Sequence, residues 1–238
     1  MPDLVAHQIA DDILSQNIEP GTTLPSEREL TVAYGVSRGT LREALRILES
    51  HGIVAVRTGP GGGPVVQPIR PDALTRNLSL LLRLSGTPLA EVNEARSALE
   101  PLTASLAAER ATEEEVQRLQ ELVDLMDASI GDEADFLRLN RQYHDEIAKV
   151  SRNSVLGFFA ATLSSINDGH AAGVQYSIAR LRAINASHHR IFEAIRDHDP
   201  ERAANEAKIH LQEFRALLER RYPELLTGPV RWMLTDNT

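Results

Sequence analysis

Residues 59–72 read GPGGGPVVQPIRPD, and no other stretch of the 238-residue chain restricts its fold so strongly. Eight of these fourteen residues are glycine or proline, against 26 in the whole chain, so a helix cannot run through them. They mark a turn followed by a linker, and they divide the chain into a first domain of residues 1–70, a second of 71–222, and a short C-terminal appendage of 223–238. Both domains are long enough to bury a core. On either side of the break the sequence is rich in Ala, Leu, Glu and Arg, with few aromatics, a texture that favours helix.

The first domain reads as three helices and a β-hairpin. Leu4, Val5, Ile9, Ile13 and Leu14 form a helical stripe over residues 4–17, ended by Pro20-Gly21. Ser26 and Glu29 have capping-box spacing and open a second helix that runs to Tyr34 and stops at Gly35. Ser37 caps a third helix of residues 38–50, with Leu41, Ala44, Leu45 and Leu48 inward. Residues 53–56 and 65–66 are short strands joined by a glycine-rich tip. Helix, tight turn, helix and two-stranded wing make a winged helix-turn-helix, whose third helix would enter a major groove by its N-terminal end.

That end carries Arg38, Gly39, Thr40 and Arg42. Arg38 and Arg42 share a face, and arginine pairs bidentately with guanine, while threonine bonds phosphate or a base. Arg28 is placed to hold a phosphate, and the glycines at 59 and 61–63 let the wing backbone approach DNA. Net charge gives this reading no help. The chain carries −9, the first domain −2 (six basic, eight acidic residues), which excludes a globally basic nucleic-acid coat. Weight comes from the joint pattern, since surface arginines alone are usually solvated charges.

The run PGTTLPSERELTVAYGVSRGTLREALRILESHGIV resembles the DNA-binding domain of the GntR family of bacterial transcription regulators, through LPSEREL and GVSR…LREAL at the family's spacing. The resemblance covers about residues 5–67. It implies operator contacts at Arg28, Ser37, Arg38, Gly39, Thr40, Arg42 and Gly59. Gly39 stands where a hydroxyl residue can add a contact, and here offers only backbone.

The second domain reads as helices over 72–84, 88–110, 112–129, 132–150, 154–171, 176–197 and 200–221, a bundle of about six or seven helices, with a kink expected at Pro101 and a capping box at Thr112 and Glu115. The fold class is therefore mostly α. Three histidines lie on faces that should be buried: His144 with Phe136, Leu139, Asn140, Tyr143 and Ile147; His188 with Ile178, Leu181, Ile184, Ile191 and Ile195; His210 with Ala203, Ala207, Phe214 and Leu217. Asn140 and His144 are four apart and point to the same spot. Three inward imidazoles and an amide oxygen are a donor set for one divalent metal, although any single inward histidine is more often a hydrogen-bonded core residue. His7, His51, His170, His189 and His198 lie off these faces.

The same spacing is similar to the FCD ligand-sensing domain of FadR-like GntR regulators. In that family a D-x-x-x-H pair, an H-x-x-I-x-x-A-I segment and a later histidine bind a divalent metal. The matching positions are Asn140 to His144, His188 to Ile195, and His210, and Glu94 to Glu100 matches as well, its Arg96 facing the effector cavity in such proteins. The resemblance implies a divalent cation such as zinc, nickel or manganese, a small organic acid as effector at Arg96, a homodimer, and double-stranded operator DNA as partner. Asn140 replaces the usual aspartate, which predicts weaker metal binding or greater reliance on an anionic effector. The expected function is a repressor whose operator affinity responds to the acid.

The rival reading is a metal-dependent enzyme acting on a small organic acid; against it, no residue stands out as general base, Glu193 and Asp145 being the nearest candidates. Zero cysteine excludes a disulfide scaffold, thiolate zinc fingers, iron–sulfur clusters and a cysteine nucleophile. No apolar run approaches the ~20 residues of a membrane span, and Met1-Pro2-Asp3-Leu4 lacks the basic flank of a signal peptide, so no membrane association and a cytoplasmic location are expected.

Overall fold

Serine, threonine, aspartate and asparagine caps set where most of the helices begin. In a computed structural model of the chain, residues 1–57, 59, 62–167 and 173–232 are described. Gly61, His170 and the stretch 168–171 assigned above to a helix lie outside the described residues. The chain forms two compact units, Met1–Ala73 and a second that begins at Leu74.

In the first unit, α1 (Pro2–Ser15) starts two residues earlier than the apolar stripe predicts, because Pro2 occupies a first-turn position that needs no amide hydrogen. Its buried face is Val5, Ala6, Ile9 and Ile13; Leu4 and Leu14, counted in the stripe, are exposed. α2 (Glu27–Ala33) opens on the expected capping box, with the Glu29 amide donating to Ser26 and the Ser26 amide to Glu29. α3 (Arg38–Ser50) is capped by Ser37, whose Oγ accepts the Thr40 amide at 3.2 Å. Leu41, Ala44, Leu45 and Leu48 of α3 meet Val5 and Ile9 of α1, and Val54 and Val66 of the wing, in one core.

The wing pairs β1 (Val54–Arg57) with β2 (Gly63–Val66) in antiparallel register, Val54 opposite Val66. The sequence reading missed a third piece. Residues 21–24 run along the other edge of β2, with Gly21 and Leu24 amides donating to Val66 and Pro64 carbonyls and Val66 donating back to Thr22. This covers an edge that would otherwise be open to another strand. At the tip, a Cβ on Gly62 would stand 2.3 Å from the Arg57 carbonyl oxygen, so the hairpin closes only with glycine there. Replacing Ser37 by alanine is expected to remove the α3 cap and destabilise the first unit by about 1 kcal/mol. Urea unfolding of the full chain measures it, and a loss below about 0.3 kcal/mol would show an idle cap.

The second unit contains α4 (Asp72–Leu84), α5 (Leu89–Arg110), α6 (Glu113–Ala128), α7 (Glu133–Val150), α8 (Ser154–Ile166), α9 (Ile178–Arg196), α10 (Pro200–Arg221) and α11 (Pro223–Thr227). Helix α5 runs unbroken through Pro101. Helix α10 packs along α5 and α9, and α7 against α5, α6 and α8. Phe136, Tyr143, Leu119, Val123, Ile191 and Ile195 centre the larger core.

Residues 223–230 pack onto the second unit. Leu226 and Val230 are buried against Leu89, Val92, Leu163 and Leu218, and the Leu89 and Val230 amides donate to the Gly228 and Thr87 carbonyls. Apolar residues within this stretch, Leu225, Leu226 and Val230 among them, were the available signal. No helix among the described residues is long and apolar enough to cross a membrane.

Candidate functional site

Each of the three inward histidines arrives on a separate capped helix. α7 begins at the Asp132 cap and carries His144; α9 begins at Ser177 and carries His188; α10 begins at Asp199, followed by Pro200, and carries His210. Helical spacing turns all three inward, and one ligand atom from each lies within 4.8 Å of the others. Ring centroids are 4.7 Å apart for His188 and His210, 5.2 Å for His144 and His188, and 5.4 Å for His144 and His210. An ion held at ~2.1 Å by each nitrogen sets neighbouring nitrogens about 3.4 Å apart, so closure asks for a contraction of roughly 1 Å.

The polar surroundings separate the three. His210 Nδ1 lies 2.9 Å from Ser187 Oγ, and His144 Nδ1 lies 3.8 Å from Glu100 Oε2. His188 is fully buried, and neither ring nitrogen has a hydrogen-bond partner among the described residues. Its ring is fixed from the side by Tyr143, at a centroid distance of 4.8 Å; the Tyr143 hydroxyl donates to the His188 carbonyl at 2.9 Å. Burial pushes all three imidazoles below their ordinary range; repulsion from the neighbouring rings adds to this at His188 and His210, while the Glu100 carboxylate works against it at His144. The result is three neutral imidazoles, the form that ligates a metal. His188, buried with both ring nitrogens unpartnered, together with two further neutral imidazoles fits such an ion.

Two clefts meet at this triad. A smaller one is lined by alanines 104, 160, 161 and 207 together with Glu100 and Ile191. A larger one, about 650 Å³ with its open mouth included, is lined by Arg96, Asn140, Asn167, Tyr176 and Arg180 among others. His144, His210 and Ser164 belong to both walls. Asn140 is half-buried and borders the larger cleft beside His144. Arg96 is buried and borders it too, with Nε bonded to Glu100 of the next turn of α5. Sequence reasoning missed Glu100, Ser187, Asn167 and Arg180. The spacing of Arg96 and Glu100 by four was a visible signal for the first; the others are brought in by helix packing alone.

In the first unit, Arg28 and Arg38 are exposed, and their guanidinium groups make no ion pair or hydrogen bond among the described residues. Arg42 is exposed, with Nε 3.0 Å from Glu27 Oε2. The Thr40 hydroxyl lies 3.0 Å from Ser37 Oγ, so both hydroxyls are engaged in the cap. Gly39 has open space around it apart from Ser37, and Gly59 is exposed in a left-handed conformation at φ +103°. The enzyme reading loses its base: neither Asp145 nor Glu193 lines either cleft, and Glu193 is bound to Arg202 at 2.9 Å.

Comparison with known proteins gives the same two halves. Residues 3–62 match the profile of bacterial regulatory proteins of the gntR family, and residues 91–213 match the FCD domain. The HTH-type transcriptional repressor NanR of Cronobacter sakazakii is 28% identical over 222 residues, spanning 89% of this chain and 82% of NanR. An HTH-type transcriptional regulator of Mycobacterium tuberculosis is 34% identical over 196 residues, 77% of this chain and 78% of that protein. Among solved structures, a GntR protein of Streptococcus agalactiae superimposes with a TM-score of 0.67 at 26% identity, covering 91% of this chain and 100% of that one. With a winged helix-turn-helix ahead of an FCD bundle, the chain belongs to the GntR family of transcriptional regulators and is not an enzyme.

Proposed function

We propose that this regulator is a repressor that reads operator DNA through its first unit and senses a small organic acid, bound beside a divalent metal, in its second. The observation that carries the sensing half is His188. A core imidazole without purpose would be hydrogen-bonded; this one has two unpartnered nitrogens, one of them within 4.8 Å of a ring nitrogen of each of two other histidines. His144, His188 and His210 would hold the ion, with the Asn140 amide oxygen as a further donor; zinc, nickel and manganese all suit such ligands. When bound, the ion offers a carboxylate oxygen a Lewis-acidic position. Glu100 fixes Arg96 through Nε and leaves its other N–H groups for the forked contact that guanidinium makes with carboxylate. Because Asn140 is neutral, the loaded site carries one more positive charge than an aspartate would give it, which favours an anionic effector.

In the reading half, Arg38 and Arg42 contact base edges, and Arg28, Thr40 and the backbone at Ser37, Gly39 and Gly59 position the phosphates. A two-fold homodimer would read a pseudo-palindromic operator. Repression is the role named for the NanR relative. Its DNA partner places the protein's work in the cytoplasm. The acid acts only through different affinities for the DNA-competent and incompetent states, a coupling of about 1–3 kcal/mol, or 5- to 150-fold.

The test starts from a random duplex pool. The purified chain selects an operator, and fluorescence anisotropy follows its affinity with and without zinc and a panel of small carboxylates. At least one acid is expected to change operator affinity fivefold or more. No preference over random competitor would overturn the reading half; an affinity indifferent to every metal and acid would overturn the sensing half.

A further inference from the structure

We propose that the larger cleft has a second anion-binding pole, made by Arg180 and Asn167, which selects a dicarboxylate over a monocarboxylate as effector. This rests on the carboxylate reading above and adds to it the chemistry of the ligand's far end.

Asn167 caps the C-terminus of α8 and is 4% exposed. Its Oδ1 accepts the Asn93 Nδ2 at 2.9 Å, and Asn93 is itself fixed by donating to the Leu89 carbonyl at 3.0 Å. That pair determines the amide's orientation: turning it over would set two NH₂ groups against each other. The Asn167 Nδ2 is thereby directed away from α5, and it has no hydrogen-bond partner among the described residues. Arg180, in the first turn of α9, has a buried Nε that is likewise unpartnered. Glu213, the acid whose charge acts most on Arg180, is engaged by Arg190 at 3.5 Å. Both side chains line the cleft that Arg96, His144 and His210 also line.

The two orphan groups are both donors, and one belongs to a permanent cation. A buried donor without an acceptor is destabilising, and an incoming acceptor relieves it. No carboxylate lines this cleft among the described residues. Glu100 already matches the Arg96 charge, whereas nothing in the lining matches Arg180. An oxygen acceptor bearing charge therefore satisfies these two donors best. A monoacid has a single carboxylate to share between Arg96 with the histidines and this second pair of donors; a short diacid has one carboxylate for each.

Isothermal titration of the zinc-loaded full chain with matched pairs, succinate against butyrate and glutarate against valerate, tests this. The diacid is expected to bind at least tenfold tighter than its monoacid partner. Arg180→Gln removes the cation, and Asn167→Asp keeps the acceptor for Asn93 while turning the orphan donor into a repelling oxygen. Both variants are expected to lose the diacid preference and keep monoacid affinity within about twofold. Equal affinities in wild type, a preference untouched in both variants, or a parallel loss for mono- and diacids would overturn the second pole and leave the carboxylate effector standing. Absence of binding by all four acids would overturn both readings.

Discussion

His188→Leu is expected to abolish specific metal uptake while leaving the metal-free protein at least as stable as wild type. Leucine fills a similar volume without polar atoms, and the two His188 nitrogens it removes are buried without partners. Each such group costs on the order of 1–3 kcal/mol when nothing bonds to it. The sign is the diagnostic: removing an ordinary core residue destabilises, and removing a ligand poised for an absent ion does not. With wild type at a free zinc concentration a hundred times its Kd, metal contributes about 2.7 kcal/mol to the folded state. For a unit of this size that is a rise in Tm of roughly 5–10 °C. The variant is expected to show no rise at all. Elemental analysis and paired melts with zinc and with chelator measure it; a variant that still gains several degrees from zinc would exclude His188 as a ligand. The Ser187 hydroxyl beside His210 and the Tyr143 contact to the His188 backbone are untouched by the change, so a loss of fold would be an unexpected outcome visible in far-UV circular dichroism.

Arg38→Ala is expected to weaken binding to the selected operator by about 1–3 kcal/mol, a factor of 5 to 150, with binding to random duplex nearly unchanged. Arg38 is exposed on the first turn of α3 with an unengaged guanidinium, so it reaches a groove without leaving a partner. Arg42 must first release Glu27, an exposed pair of the kind worth at most about 1 kcal/mol, so its substitution is expected to lose somewhat less. Salt dependence separates the two roles an arginine can play. A base contact leaves the slope of log affinity against log salt in place, whereas loss of a phosphate contact lowers it by about one. A uniform loss across sequences with a lowered slope would move Arg38 from base reader to backbone anchor.

The parts of this protein that could be read from its sequence are those decided within a few residues. Ser26 with Glu29 and Thr112 with Glu115 announce two helix starts, and both boxes close as expected because all their atoms lie within one turn. The inward faces of α7, α9 and α10 follow from helical periodicity, and hence so does the meeting of His144, His188 and His210. What could not be read depends on partners far apart in the chain. The Asn93–Asn167 bond joins residues 74 positions apart, and no local pattern predicts which asparagine faces which. The strip at 21–24 is not evident in the sequence because it sits at the Pro20-Gly21 break expected to close the first helix, and its pairing to β2 is a tertiary event. Leu4 and Leu14 erred in the other direction: apolar and nearly in phase, they fall just outside the arc that α1 buries.

The seating of Leu226 and Val230 among α5, α8 and α10, clamped by the backbone exchange with residues 87–89, means that the codons following α10 differ sharply in weight. A premature stop after Arg231 spares every one of those contacts. A stop before Leu226 strips the cover from Leu89, Val92 and Leu218 on helices that also carry Arg96 and His210, so a truncation beyond the last long helix behaves as a lesion of the sensing bundle itself.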